Sequence, residues 1–490
     1  YFKALAINKD MTLKPIFTTN KGLILNTEYR EINKNSNHIV DFSFTDEKFL
    51  NKGGNKKKFK NHFFSNSEFG LDIDKYLDSF IELDIQKVSN DIYLKSYDFN
   101  SPLIENNTTL HSKLNFTGIK DDSSLNISGE LYEDLSKPKS DRYEYILPNF
   151  DYEKKILTKS NIFRSIDFNS IGSYRQYDTN VSEYKVINDF TFNSDSFIFQ
   201  NGFTSNYNLN LKNLNYDTKN SSNFKKDNDN DLMSTFVYNS SLPLFKENKF
   251  TKKYLTPRFS LRYSPNNYNG SDTENKIINI DNIYSLNRLS STENVESGYA
   301  LTIGTDYKIE DINQTEILDF RIAQAFRDET RKDLPNNNNI GDKRSDIIGR
   351  VKFFPNEFID FEYSFSADNN FKSSNYDYLK SNISVNNFVT SFEFLEETNN
   401  YGSQGYWKNT SLFKFDENSS ISFEKRRNTK KDIDEYYNLI YRYENDCLVA
   451  ALKYNKNFYR DAELEPSEEL FFSISIIPFG ETNSPNLKND

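Results

Sequence analysis

The run Leu470–Phe479, LFFSISIIPF, decides how this chain folds. Ser473 and Ser475 alternate with Phe472, Ile474 and Ile476. In an extended strand successive side chains point to opposite faces, so the serines share one face and the apolar groups the other. A last strand in a large all-β chain leaves a row of unpaired backbone groups at the edge of its sheet. If the sheet closes, that edge must meet the first strands, which begin near Tyr1. The closing seam is then the place to look for function.

Composition around this strand sharpens the expectation. The 490 residues include 43 Phe, 32 Tyr and one Trp, yet hydrophobic residues are only 36% of the chain, and mean hydropathy is −0.78. In a soluble protein these figures conflict, because many aromatics imply a large core and low hydropathy denies it. A transmembrane β-barrel removes the conflict: lipid touches every second residue, the lumen is polar, and the aromatics suit interfacial girdles. A large secreted β-protein with polar loops is the blander alternative, which composition leaves open. No run of eighteen apolar residues is present, so no transmembrane helix is expected. A net charge of −11 argues against a nucleic-acid partner. One cysteine excludes an internal disulfide framework. The chain opens on Tyr1 without a signal peptide, so the expectation is a trimmed piece whose export signal lies upstream.

The alternation recurs along the chain. Residues 1–32 read as a hairpin, its arms joined at Thr18–Gly22, with Pro15 inside the leading arm. Proline cannot donate to a ladder, so it marks an edge or a weak pairing, although a strand-start proline is the commoner case. Residues 47–70, with Gly53-Gly54 and Lys56-Lys57-Lys58, read as a solvated polar loop rather than a phosphate site. Phe80–Phe99 reads as a long strand: Phe80, Glu82, Asp84 and Gln86 alternate with Ile81, Leu83, Ile85 and Lys87. Segments of about ten alternating residues continue to the C-terminus, among them Tyr254–Pro265, Tyr299–Tyr307, Ser381–Phe394 and Cys447–Tyr454, with polar loops at Asn266–Thr273 and Asn336–Asn339. The expected fold is all-β: a large closed antiparallel transmembrane β-barrel of about 24–26 strands, with no core helix. It would occupy residues 1–480, leaving 481–490 as a short polar tail. A lumen that wide needs a plug.

Catalytic chemistry is not in evidence. His38, His62 and His111 lie outside any nucleophile-elbow, HExxH or CxxC context. His111, beside Ser112, is the sole candidate for a barrel hydrolase, and a plain strand histidine is the better reading. No phosphate cradle or metal-ligand spacing appears, so neither enzyme activity nor a cofactor nor a metal is expected.

Several segments carry a resemblance. Asp10–Pro15 (DMTLKP), followed by Gly22 and by Glu28–Arg30 (EYR), opens the series. Then come Val88–Leu94 (VSNDIYL), Leu255–Arg258 (LTPR) with Tyr263 and Pro265, Asn287–Gly298 (NRLSSTENVESG), and Asp446–Leu448 (DCL). In order and spacing, over nearly the whole chain, these resemble the C-terminal barrel domain of LptD, the lipopolysaccharide (LPS)-assembly family of the outer membrane. The resemblance implies a barrel of a Gram-negative outer membrane, plugged by an LptE-like lipoprotein. It implies LPS arriving from a periplasmic bridge through a jelly-roll domain absent from this chain, so that this piece alone would not transport. Release would be sideways into outer-membrane lipid, between the first and last strands. Asp10, Thr12 and Pro15 on one side and Phe472, Ile474 and Ile476 on the other would form that lateral gate. Asn8 stands where another family proline can occur. Cys447 sits at the family's C-terminal cysteine position, which implies a disulfide to a cysteine upstream; a free periplasmic thiol is the alternative. A passive porin or substrate-specific channel is the competing function, and the strength of the seam separates the two.

Overall fold

The structure is a computed structural model that describes residues 1–18, 22–51, 54–97, 99, 101–104, 106–160, 162–224, 227–266, 278–289, 292–334, 339–398, 402–458 and 466–476. Side chains at 17, 18, 22, 46–51, 54–58, 467, 475 and 476 are outside the description. So are the tail at 481–490 and most of the two polar loops named above.

One antiparallel sheet of 27 strands contains nearly all the described chain. It opens with β1 (Phe2–Ala6), β2 (Lys9–Thr18), β3 (Gly22–Asn33), β4 (Ser36–Asn51), β5 (Gly54–Gly70) and β6 (Asp78–Val88). A single helical turn, α1 (Tyr93–Ser96), precedes β7 (Thr109–Ile119), β8 (Ser123–Asp134), β9 (Tyr143–Leu157) and β10 (Ser165–Tyr177). The middle holds β11 (Val181–Asn193), β12 (Phe197–Ile198), β13 (Thr204–Lys219), β14 (Asn228–Ser241), β15 (Leu244–Glu247) and β16 (Thr251–Ser264). Next are β17 (Gly298–Asp311), β18 (Glu316–Arg327), β19 (Ile347–Asn356), β20 (Ile359–Ala367) and β21 (Ser374–Val385). The sheet ends with β22 (Phe388–Glu397), β23 (Gly405–Lys414), β24 (Ser419–Asn428), β25 (Ile433–Asn445), β26 (Leu448–Asn457) and β27 (Ser467–Ile476).

Each ladder joins near neighbours in sequence. β11 and β12 both pair with β13, and β14 and β15 both pair with β16. The second interruption falls at Leu242-Pro243, opposite Pro257 of β16, so two prolines that cannot donate share one level of the sheet. Connections at one rim are tight, no longer than the seven residues 71–77 and 158–164. At the other rim lie the long ones, 89–108, 265–297 and 328–346.

The two faces differ as period-2 alternation demands. Phe413, Phe423, Leu439 and Tyr441 are exposed on the outer face. On the inner face Glu424 accepts from Lys408 at 2.8 Å and from the Tyr436 hydroxyl at 2.8 Å.

Four sequence expectations need correction. The leading arm of the first hairpin is two strands, since β1 folds back on β2 at Ile7-Asn8. Of residues 47–70, the described 47–51 and 54–70 are hairpin arms rather than a loop, and Lys56–Lys58 lie on β5. Ser381–Phe394 is likewise two strands, reversing at Asn386, whose φ of 51° is a left-handed position that Asn tolerates. The run Phe80–Phe99 leaves the sheet at Val88. Asn90 then bonds the Ile92 and Tyr93 amides and starts α1, so helix is not wholly absent. Burial of Tyr93, Leu94 and Tyr97 outweighs continued strand pairing there.

Candidate functional site

The seam is built from β2 and β27. β2 pairs with β3 along its whole length on one edge. On its other edge β1 covers Lys9 to Thr12, and the Tyr1 backbone then exchanges both hydrogen bonds with Leu13. Leu13 therefore turns its amide and carbonyl toward that outer edge, and so does Pro15, two residues on. The amide that Pro15 lacks is thus missing from the open edge. β27 pairs with β26 on its far side. Cα atoms of β2 and β27 come within 8 Å, yet no ladder joins them among the described residues.

Asp10 is held by Arg30 at 3.0 Å, and Thr12 stands between Phe2 and Glu28 in the ladders. Phe472 and Ile474 are 61% and 53% exposed on the outer face, beside Leu452 and Ala450 of β26. The side chain of Ile476 lies outside the described residues. Cys447 is exposed in the tight turn between β25 and β26, on the short-turn rim, its amide donating to Asn445 at 3.0 Å.

Sequence reasoning missed that the long connections fold onto the inner face. The first, around α1, packs Tyr93, Leu94 and Tyr97 against Ile24, Phe64 and Leu110, with Ile16 of β2 alongside. Its anchor is a buried relay. The Tyr93 hydroxyl meets Ser43 Oγ at 2.8 Å, Ser43 meets His62 Nδ1 at 2.7 Å, and His62 Nε2 meets Asp41 at 3.2 Å. Ser, His and Asp in contact suggest a nucleophile, but these three side chains are fully buried, so no substrate reaches the hydroxyl. The relay fastens the connection to the wall. Burial pushes the Tyr93 hydroxyl up to about 12. His111 bonds Glu130 at 3.0 Å and stacks on Tyr132, whereas Ser112 is engaged by the Gln86 backbone. Among the described residues no group of three His, Cys, Asp or Glu side chains could hold a metal, and no helix is long and apolar enough to cross a membrane.

The second connection, 278–297, is fixed by charge. Glu296, 3% exposed, accepts from Arg288 of its own segment and from Arg327 of β18. Arg262 of β16 approaches it at 3.8 Å and donates to the Leu286 carbonyl at 2.6 Å. Burial alone would raise the Glu296 carboxyl, but Arg288, Arg327 and Arg262 reverse this and hold it far below the usual carboxylate range. Ile278, Ile283, Tyr284 and Leu289 fill an apolar patch with Ala323, Ala325 and Ile348 beneath them. The signal was present in the sequence: Ile278, Ile280, Ile283, Leu286 and Leu289 do not follow a strand's period.

No curated protein matches the chain. Among solved structures it is similar to the FrpB iron transporter from Neisseria meningitidis (F5-1 variant, apoprotein), with 10% identity, 96% of this chain and 81% of that one covered, and a TM-score of 0.36. The siderophore receptor PirA from Pseudomonas aeruginosa gives 9%, 95%, 79% and 0.36. The translocation pore of the P pilus usher PapC gives 9%, 96%, 98% and 0.26. Such scores are too low to carry anything over to this chain. The decisive match is to a family: residues 60–423 fit the one described as LptD, LPS transport system D. Because that match spans well over half of the 490 residues, the chain belongs to the LptD family, whose members act in LPS transport at the Gram-negative outer membrane.

Proposed function

We propose that the sheet closes into a barrel and that the chain inserts LPS into the outer leaflet by parting β2 from β27. The observation that carries this is the open edge of β2 beyond Leu13, which bears Pro15 and lies beside β27 without a ladder. A net hydrogen bond is worth about 1 kcal/mol, so a seam lacking several opens far more readily than any other strand pair. Elsewhere lipid offers no replacement partner for a broken ladder.

The strand count supports closure. Of the 26 strands from β2 to β27, β12 and β15 continue their predecessors, leaving 24 ribbons among the described residues. An even number of antiparallel ribbons brings both ends to the same rim, where they can meet. Phe472 and Ile474 would face lipid at the gate. Cys447, on the short-turn rim, would face the periplasm and bond a cysteine of the jelly-roll. LptE-like plug and periplasmic bridge are the partners this reading requires, with neither enzyme activity nor a cofactor.

The test uses the full-length protein with its partners. A cysteine pair locking β2 to β27 is expected to abolish LPS delivery while the barrel still assembles and migrates as a heat-modifiable species. Delivery at the normal rate through a locked seam would overturn the gate and favour a channel.

A further inference from the structure

β15 is a sheet edge that no strand covers among the described residues. Its four residues are all exposed, Leu244 and Phe245 to 45% and 56%. Its single ladder is to β16, and bonds at the two ends of that ladder fix its phase. The Asn248 amide donates to the Thr251 carbonyl, and the Leu242 amide to the Pro257 carbonyl. Hydrogen-bonded pairs recur at every second residue, so Leu244 and Lys246 also turn their amides and carbonyls toward β16. Phe245 and Glu247 therefore turn theirs to the free side, where no bond from a described residue meets them. Pro243 faces the same free side without an amide, so it ends the row.

Charge decides what can pair there. Residues 244–253 carry Lys246, Lys249, Lys252 and Lys253 against Glu247 alone. Lys246 stands directly opposite Lys253 on one face, and the neighbouring strands continue that row with Ile309 and Leu318. Like charges directly opposite destabilise a strand pair. Neither lysine has an ion-pair partner among the described residues. A carboxylate on a third strand beside Lys246 would relieve both. Glu247 and Lys252 form the pair on the other face. Charges on both faces hold β15 out of hydrocarbon, at the short-turn rim. Only there is an unpaired edge tolerated. Next to the lysines, Leu244 and Leu255 make an apolar pair. Phe245 lies against Tyr254 on the opposite face, ring centroids 5.2 Å apart.

We propose that β15 is a docking edge for an extended acidic segment of a periplasmic protein, which adds to the sheet as one more strand. Its backbone pairs with Phe245 and Glu247. It sets a carboxylate opposite Lys246 and an apolar side chain opposite Leu244. A second copy of this chain fits poorly, because joining two such edges brings lysine rows together. An anionic lipid would neutralise the lysines but cannot complete a ladder. The proposal takes from the transport reading only the side of the membrane on which β15 lies, and β15 is no part of the seam between β2 and β27.

The test uses full-length protein with its plug in detergent, and three short labelled peptides. One alternates valine with glutamate, one has lysine in place of glutamate, and one is the acidic peptide N-methylated along both edges. Fluorescence anisotropy is expected to show binding of the unmethylated acidic peptide alone, with backbone hydrogen exchange slowed over 244–247. Lys246→Glu should weaken that binding about tenfold and admit the lysine peptide, since an opposite-charge pair becomes a like-charge one. Heat-modifiable migration confirms that the variant is folded. No binding, equal binding of the two charged peptides, or equal binding of the N-methylated peptide would overturn the docking edge. So would slowed exchange over 244–247 without peptide, whether through self-association or on adding phosphatidylglycerol. These outcomes leave the transport reading as it stands, because LPS delivery is tested separately at the locked seam.

Discussion

Glu296 is the single residue on which most of the inner architecture converges. It draws together guanidiniums from β16, β18 and its own connection, all out of water. Replacing it with Gln leaves three buried cations without their counter-charge, a change that costs about 3–5 kcal/mol in comparable buried pairs. Glu296→Gln is therefore expected to release 278–297, seen as new proteolytic cleavage there while the barrel stays heat-modifiable; an unchanged digest would refute the clamp. Because the folded carboxyl is held below its unfolded value, its stabilisation is present above the ordinary carboxylate range and is lost only in strong acid. Tyr93 has the opposite sign. Its folded value near 12 exceeds the ordinary 10, so its contribution is complete below pH 10 and fades as pH rises through 12. The alkaline difference spectrum between wild type and Tyr93→Phe should carry its phenolate amplitude near pH 12; amplitude near pH 10 would mean that the hydroxyl is not buried. Both residues lie in segments that carry the resemblance, Val88–Leu94 and Asn287–Gly298, but their roles were not legible there, because a lone Glu or Tyr acquires its role only from cations and hydroxyls that other strands bring to it.

At the scale of elements, alternation made most strands legible, and it fixes which residues face outward on β27. A charge on the lipid side near mid-membrane costs about 2–4 kcal/mol. Ile474→Arg should thus lower the yield of folded barrel well below that of Ser473→Arg, and equal yields would mean that the facing is wrong. β17 makes a different demand. A Cβ on Gly304 would collide with the Tyr284 hydroxyl and the Ile322 carbonyl. Overpacking of this kind costs about 1–3 kcal/mol, so Gly304→Ala should loosen Tyr284 and speed backbone hydrogen exchange across 278–289. What the sequence hid were elements whose pairing is not set by their own pattern. Phe80–Phe99 looks like one strand because apolar residues recur along it from Ile81 to Phe99, and only the cluster around Ile24 and Phe64 explains why it turns inward at Val88. Residues 47–70 look like a loop because lysines and asparagines dominate, yet β4 and β5 pair throughout.

For the whole molecule, the all-β architecture and the family were both legible, the first from LFFSISIIPF and its counterparts, the second from spaced motifs such as Asn287–Gly298. The β2–β27 seam was legible only in part: Pro15 was visible, but β1 lying along Lys9–Thr12 was not, since five residues of weak alternation do not announce a strand. One property of the ladders reaches beyond transport. Every ladder among the described residues joins strands adjacent in the chain or separated by a two- or four-residue fragment. Contact order is therefore low for so large a sheet, and the ribbon can grow hairpin by hairpin without long-range search. The exception, where the sheet closes as proposed, is the meeting of its two ends, which would wait for the last hairpin and bear the loop-closure entropy of the entire chain. If the sheet closes at this seam as proposed, biogenesis would stall, if anywhere, with a complete but unsealed ribbon, and the weakness proposed to open the seam would also make its final assembly step slow.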